Sequence, residues 1–361
     1  YEMLRSLVGS EMCIRDRIPD GGEQMMSWIE DILRCKSLSI IGLEKNTGKT
    51  ESLNYILQEL KDSGRTIALT SIGIDGEKRD QVCQIAKPEI ELYEGMVFVT
   101  TEQHYRTRRL VAEVLDISDR RTSLGRLVTA RAKTGGKVLL SGPPDTAGLK
   151  ELISGMGRWE VGLTIVDGAL SRFSHGSPAV CEGLVLATGA AVSGTIPQLV
   201  NKTKYVYDLI SLEEVEPQIG RQLEEKESGI WAVDGQGVVR DLGIPSALML
   251  ERYKADVFRY GRCLYVAGVV SDNLLNFLRT QALPVELIIQ DFTRMFALPE
   301  TYNFFVHKGN RVKVLRRSRL LGVTVNPMSP SGFCLNSVRL REALEAALKI
   351  PVYDVRTMKS K

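Results

Sequence analysis

The sequence predicts an α/β protein: a parallel sheet flanked by helices, with a second, smaller α/β domain. Three observations lead there. Short apolar runs recur at 37–41, 66–72, 161–166 and 183–187. They are too short for helices and too continuous for strands with one wet face, so they read as strands buried on both faces. Stretches with helical spacing separate them, as crossover connections of a parallel sheet require. The composition is ordinary for a globular chain, with 43% hydrophobic and 25% charged residues.

The chain of 361 residues is long enough for one large domain or two modest ones. Lys+Arg number 47 and Asp+Glu 44, a net charge of +3. That balance makes neither nucleic acid nor an anionic membrane the default partner. No apolar run reaches the ~18 residues of a membrane span. Six cysteines (Cys13, Cys35, Cys83, Cys181, Cys263, Cys334) lie scattered with no C-x-x-C pair. A chain of this size needs no disulfide staples, which favours reduced thiols in a cytoplasmic protein.

The first residues are set aside. Val8-Gly9-Ser10-Glu11-Met12-Cys13-Ile14-Arg15-Asp16 back-translates to a string that resembles a transposon adapter of sequencing libraries. Residues 1–17 are therefore expected to be adapter, and 18–24 an untranslated or disordered leader. Gly21-Gly22-Glu23 can encode a ribosome-binding sequence just before Met25-Met26, the expected native start.

From there the elements follow in order. Residues 27–33 read as an amphipathic helix and 37–41 as a strand ending at Gly42. Leu53, Ile56, Leu57 and Leu60 are spaced for one helix face, with Gly64 as its stop. Strands are expected at 66–72, 96–100, 137–140, 161–166 and 183–187, and helices at 105–115 and 149–156. The acidic tract 210–227 reads as a linker between a first domain, 25–209, and a second, 228–361. Within the second, strands are expected at 264–270, 285–290, 311–315, 321–325 and 352–355, with a helix at 338–348.

The most informative segment is Gly42-Leu43-Glu44-Lys45-Asn46-Thr47-Gly48-Lys49-Thr50, between a strand and a helix. A phosphate needs many donors and little bulk. Gly48 lets the backbone come close, and N–H groups around Asn46, Thr47 and Thr50 open the helix where its dipole favours anions. Lys49, expected to be exposed, offers a point charge to β- and γ-phosphates, and Thr50 a hydroxyl to Mg²⁺. The segment reads as a P-loop, against a chance glycine turn before a helix, and the first domain is expected to be a P-loop NTPase parallel sheet. Leu43 stands where the usual G-x-x-x-x-G-K-[ST] pattern has its first glycine. Gly42 gives G-x₅-G-K-T, a spacing similar to the dethiobiotin-synthetase and cobyrinate-amidase branch. Lys45 lies one residue too late to be the second lysine of the related deviant loops.

Such a site needs a carboxylate to hold Mg²⁺ or order water. Asp167 follows the apolar run 161–166 and so falls at the carboxyl end of a core strand, the edge where parallel sheets bind ligands. An Asp-Gly strand-end turn has the same sequence, so both readings stay open. Asp75, after the second strand, is the other candidate for metal or water, against a surface turn. Arg172 reads as a surface residue or a γ-phosphate contact. His104, His175 and His307 have no metal-ligand spacing. The runs at 106–109 and 316–319 read as solvated basic faces, with an acidic partner surface as the alternative. Lys204 stands where a guanine-reading N-K-x-D would have Asp, which favours ATP over GTP.

Three stretches together resemble one family. They are 38–50, then Thr70-Ser71-Ile72-Gly73-Ile74-Asp75-Gly76-Glu77, then Val166-Asp167-Gly168-Ala169-Leu170-Ser171-Arg172. Val325-Asn326-Pro327-Met328-Ser329-Pro330 and Ile350-Pro351-Val352-Tyr353-Asp354-Val355 add to the likeness. The family is that of the B subunits of the bacterial lysine 5,6-aminomutase reactivase, and the resemblance covers residues 25–355. It implies an ATPase that works with a second, MutS-like ATPase subunit. Together they restore an aminomutase whose adenosylcobalamin has been damaged. The chain itself carries no D-x-H-x-x-G cobalamin signature.

Two other readings share the loop: a dethiobiotin-synthetase-like enzyme phosphorylating a small carboxylate or carbamate, and a nucleotide-binding interaction subunit with little hydrolysis. The second draws on the absence of any general base recognisable from sequence. Either a hetero- or a homo-oligomer fits.

Overall fold

The computed structural model describes residues 21–72, 90–168, 177 and 180–358. Residues 1–17, Asp75, Cys83, Ser171, Arg172 and His175 lie outside them. The chain begins with α1 (Gly21–Leu33), β1 (Ser37–Gly42), α2 (Lys49–Leu60) and β2 (Thr66–Ser71). Next come β3 (Glu91–Leu92), β4 (Val97–Thr101), α3 (Glu102–Arg106), β5 (Ala112–Thr122), β6 (Gly125–Ala132) and β7 (Gly136–Lys137). Then follow α4 (Thr146–Gly155), β8 (Val161–Asp167), β9 (Gly183–Gly189), α5 (Ile196–Ile210) and α6 (Pro217–Leu223). After them stand β10 (Ile230–Val233), β11 (Val239–Ile244), β12 (Cys263–Val266), α7 (Asp272–Arg279), β13 (Glu286–Ile289), α8 (Pro299–His307) and β14 (Arg311–Val314). The last elements are β15 (Arg319–Asn326), α9 (Ser337–Leu348), β16 (Val352–Tyr353) and α10 (Val355–Met358).

A nine-stranded sheet carries the order β16-β15-β9-β1-β8-β2-β4-β6-β5. From β16 to β4 neighbouring strands are parallel, and β6 and β5 add an antiparallel hairpin at one edge. The architecture is thus α/β with a large mixed sheet, where the sequence predicts a purely parallel one. Each central strand alternates between two buried faces. In β1, Leu38 and Ile40 join Leu53, Ile56 and Leu60 of α2 and Trp28 of α1, while Ile41 joins Leu199 and Val206 of α5. Helices therefore cover both faces, and β1 has no wet side to show as polar alternation.

Ile56 is fully buried in that packing and Gln58 is exposed on the opposite side of the same helix. Ile56→Val is expected to lower unfolding free energy by about 0.5–1.5 kcal/mol. Gln58→Ala should stay within about 0.5 kcal/mol of wild type. Urea midpoints of the two variants check the orientation of α2.

A second sheet, β11-β10-β12-β13-β14, has five strands. Its residues also alternate. Leu264 and Val266 of β12 face the core shared with the larger sheet, while Tyr265 and Ala267 face Leu223 of α6.

Several expectations are corrected here. The tract 210–227 is not a linker. Val215 and Leu223 are buried, and the Val215 backbone N–H donates to the Val314 carbonyl at 2.9 Å, extending the edge of the second sheet. The expected second domain, 228–361, does not stay together. Residues 319–326 and 352–353 return to the larger sheet, where β15 pairs with β9. One apolar core runs from Ile41 and Leu186, through Leu199 and Val206, to Ile230, Leu264 and Leu287, so the two sheets share a common interior.

The helix expected at 105–115 is instead the short α3 followed by β5. The strand expected at 137–140 shrinks to β7. α1 begins at Gly21, so residues 21–24 are helical, where the expectation is an untranslated or disordered leader.

Candidate functional site

Parallel strands bring their carboxyl ends to one edge. β1 ends at Gly42, β2 at Ser71, β8 at Asp167, β9 at Gly189 and β15 at Asn326. The register sets Ile40 and Ser71 on either side of Asp167, and Gly189 beside Asn326. Gly42, Asn46, Thr47, Gly48, Lys49, Thr50 and Asp167 are therefore gathered at this edge. Asp75, the remaining expected site residue, falls outside the described residues.

The loop after β1 is shaped by local chemistry. Asn46 (φ 63°) and Gly48 (φ 91°) are left-handed, and Thr47 between them is not. Left-handed residues on both sides of Thr47 curl the loop tightly, and turns with left-handed residues can gather N–H groups in a concavity that suits anions. Asn tolerates the left-handed region and Gly enters it freely. The buried Thr47 hydroxyl donates to the Glu44 carbonyl at 3.0 Å and closes the turn. Gly48 is the N-cap of α2 and supplies no side-chain cap. The first amides of α2 thus add their donors and the helix dipole to the same place.

Gly42 is needed for a different reason. A Cβ there would lie 2.9 Å from Lys49 Cγ and closer still to Thr47 Oγ1. The Lys49 stem therefore passes directly over the end of β1. Lys49 Nζ donates to the Gly168 carbonyl and stands 3.8 Å from Asp167 Oδ1. Their side chains are 16% and 13% exposed. The expectation of an exposed Lys49 is corrected, because the ammonium is drawn to the carboxyl end of β8. A cation and a carboxylate are thus held together at the carboxyl edge of the sheet, beside the start of α2.

Sequence reasoning about the loop chemistry left out three supports. The Ser71 hydroxyl donates to the Asp167 carbonyl at 3.1 Å, fixing the end of β8. Asn326 packs under the loop, where a Cβ on Gly48 would come within 2.8 Å of Asn326 Cβ. Ser52 Oγ donates to Thr324 Oγ1 at 2.8 Å, tying α2 to β15. Their only signal in the sequence is a polar residue inside or at the end of an apolar run.

His104 lies in α3, just beyond β4, and is buried, with Nδ1 2.9 Å from Ser141 Oγ. Burial holds its imidazole below the ordinary histidine value. The unfolded chain, titrating near ~6.5, then binds the proton more tightly than the folded one. Stability is full above that pH and falls as pH drops from there toward the lowered folded value, by at most ~1.4 kcal/mol per pH unit. His104→Gln keeps a partner for Ser141 and is expected to flatten this slope. Urea midpoints at pH 7 and pH 5 measure it; equal slopes in both proteins would count against a buried neutral histidine.

The four described cysteines, Cys35, Cys181, Cys263 and Cys334, are free thiols. Among the described residues no helix is long and apolar enough to cross a membrane. No cluster there of His, Cys, Asp and Glu could hold a metal by itself. Comparison with known proteins finds no matching family, no similar curated protein and no similar solved structure.

Proposed function

We propose that the chain is a P-loop NTPase that binds ATP with magnesium, and that it acts as the B-type subunit of a lysine 5,6-aminomutase reactivase. The observation that carries the nucleotide reading is the meeting of the 42–50 loop with Asp167, where Lys49 Nζ stands 3.8 Å from the carboxylate. The donor set fits a magnesium-bound triphosphate. Glycine at 42 lets Thr47 and the Lys49 stem pack over the end of β1, glycine at 48 lets Asn326 pack against the loop, and the first amides of α2 open beside them. Lys49 would hold the β- and γ-phosphates, with Thr50 and Asp167, and Asp75 as a further carboxylate, on the metal side. Bound magnesium neutralises charge on the phosphate oxygens. Ser71 holds Asp167 in place through its backbone, and Asn326 holds the loop.

The reactivase assignment is supported by the motifs at 38–50, 70–77, 166–172, 325–330 and 350–355. A shared core beneath the loop and the second sheet gives nucleotide-driven changes at one a packed route to the other. A MutS-like ATPase subunit and the inactivated mutase are the partners.

The test is ATP hydrolysis by the chain alone and with both partners, with recovery of mutase activity followed in parallel. The expected result is slow turnover alone, faster turnover with partners, and recovery that needs ATP and Lys49. Steady turnover of a small carboxylic acid without partners would move the chain to the dethiobiotin-synthetase-like class. ATP binding with no stimulated hydrolysis would leave a nucleotide-binding interaction subunit.

A further inference from the structure

β15 has a second functional end. Its carboxyl end, Asn326, supports the loop. Its amino end opens on a groove of about 370 Å³ where the chain crosses from the second sheet to the first. The eight residues of β15, at ~3.3 Å each, set the two places roughly 25 Å apart. The groove walls are Ile210 at the end of α5, Leu320 of β15 and Ile350 just before β16. All three pack against or within the shared core, so this apolar floor is rigid.

Three charged residues line the groove, Glu214, Arg317 and Arg319. Arg317 belongs to the connection between β14 and β15. Its neighbours are satisfied: Arg316 pairs with Glu224 at 2.9 Å and Arg319 with Asp31 at 3.3 Å. The Arg317 guanidinium has no ion pair among the described residues. Glu214 lies beside it, pinned by a bridge to Val314 and by the Arg317 backbone N–H, which donates to Glu214 Oε1 at 2.7 Å. The contact uses the Arg317 backbone and no ion pair joins the two side chains, so each charge is left to the groove that both residues line.

We infer that this groove binds a small zwitterion of the amino-acid class. The carboxylate lies on the Arg317 guanidinium, the ammonium on Glu214, and an apolar side chain against Ile210, Leu320 and Ile350. The volume falls within the usual range for small-ligand sites, about 300–1,000 Å³. A guanidinium matches a carboxylate with two parallel hydrogen bonds. A simple anion would meet Glu214 and a simple amine would meet Arg317, so only a molecule with both charges satisfies both.

The test uses calorimetry on the full chain with three probes: L-leucine, 4-methylpentanoate, which lacks the amine, and 3-methylbutylamine, which lacks the carboxylate. Leucine is expected to bind with Kd near or below about 1 mM and each analogue at least about tenfold more weakly. Arg317→Ala and Glu214→Gln should each abolish leucine binding, with near-UV circular dichroism unchanged. ATP binding by Arg317→Ala should match wild type, which keeps a failure of the groove distinct from a failure of the loop site. Equal binding of leucine and 4-methylpentanoate would overturn the inference, as would undetectable leucine binding at about 10 mM or full binding by Arg317→Ala.

Discussion

Lys49→Ala is expected to lower ATP hydrolysis by about 10²- to 10³-fold, the usual loss when one preorganised electrostatic contact to developing charge is removed. The argument starts at β1. Its pairing with β8 and β9 fixes where the strand stops, and Gly42 lets the Lys49 stem cross that end. Nζ is thereby delivered to the carboxyl end of β8, against the Gly168 carbonyl and 3.8 Å from Asp167. Alanine removes the charge and leaves both acceptors without this donor. With both side chains well under one-fifth exposed, the loss in stability should be about 1–3 kcal/mol. The variant should therefore remain folded while losing nucleotide affinity and turnover together. Lys49→Arg should not rescue it, since a planar fork cannot take the place of a compact ammonium above Gly42. Titration calorimetry with ATP and magnesium, together with single-turnover hydrolysis, reads both quantities. Full activity in Lys49→Ala would remove the loop from the mechanism.

The strand, loop and helix of 37–60 were more legible in the sequence than the architecture around them, for a physical reason. The signal is local: glycine, lysine and hydroxyl occur within nine residues, 42–50, and the flanking strand and helix each carry their own period. Domain limits are not local. The glutamates of 210–227 lie exposed at either side of α6, yet Val215 and Leu223 are buried against the second sheet. Two buried apolar residues, Val215 and Leu223, leave no periodic signal in an acidic tract. The return of β15 to the larger sheet depends on pairing with β9, some 135 residues earlier, and no spacing within 319–326 records that.

β5 was legible least of all. None of its residues is buried, and two register shifts break its ladder to β6, so no alternation survives in Ala112–Thr122. Its charges then read as a solvated helix. Asn326 shows the opposite case. It appears in a recognisable motif, but its place under Gly48 comes from strand order, which puts β15 and β1 on either side of β9.

Gly42→Ala tests whether the loop works as a preorganised cradle or merely as a tether for Lys49. Nothing about φ forbids alanine at this position, because Gly42 is not among the positive-φ glycines. The obstacle is steric. The new methyl would meet Thr47 Oγ1 and stand 2.9 Å from Lys49 Cγ. Thr47 cannot retreat easily, since it is buried and its hydroxyl holds the Glu44 carbonyl at 3.0 Å. The Lys49 stem is the softer neighbour, and lifting it would carry Nζ away from Asp167. Overpacking of this kind typically costs about 1–3 kcal/mol, so the fold should persist. Activity should fall by at least about 10²-fold, because a displacement near 1 Å is enough to spoil a positioned contact. If the tether alone mattered, a longer reach would compensate, and Gly42→Ala would keep its activity while losing stability. If the cradle matters, the variant loses ATP affinity even though its lysine is intact, and the paired change Gly42→Ala with Thr47→Ser does not restore it while Thr47→Gly does in part. Calorimetric ATP affinity across these variants separates the two, since only the cradle requires Thr47 and the Lys49 stem to keep their places above β1.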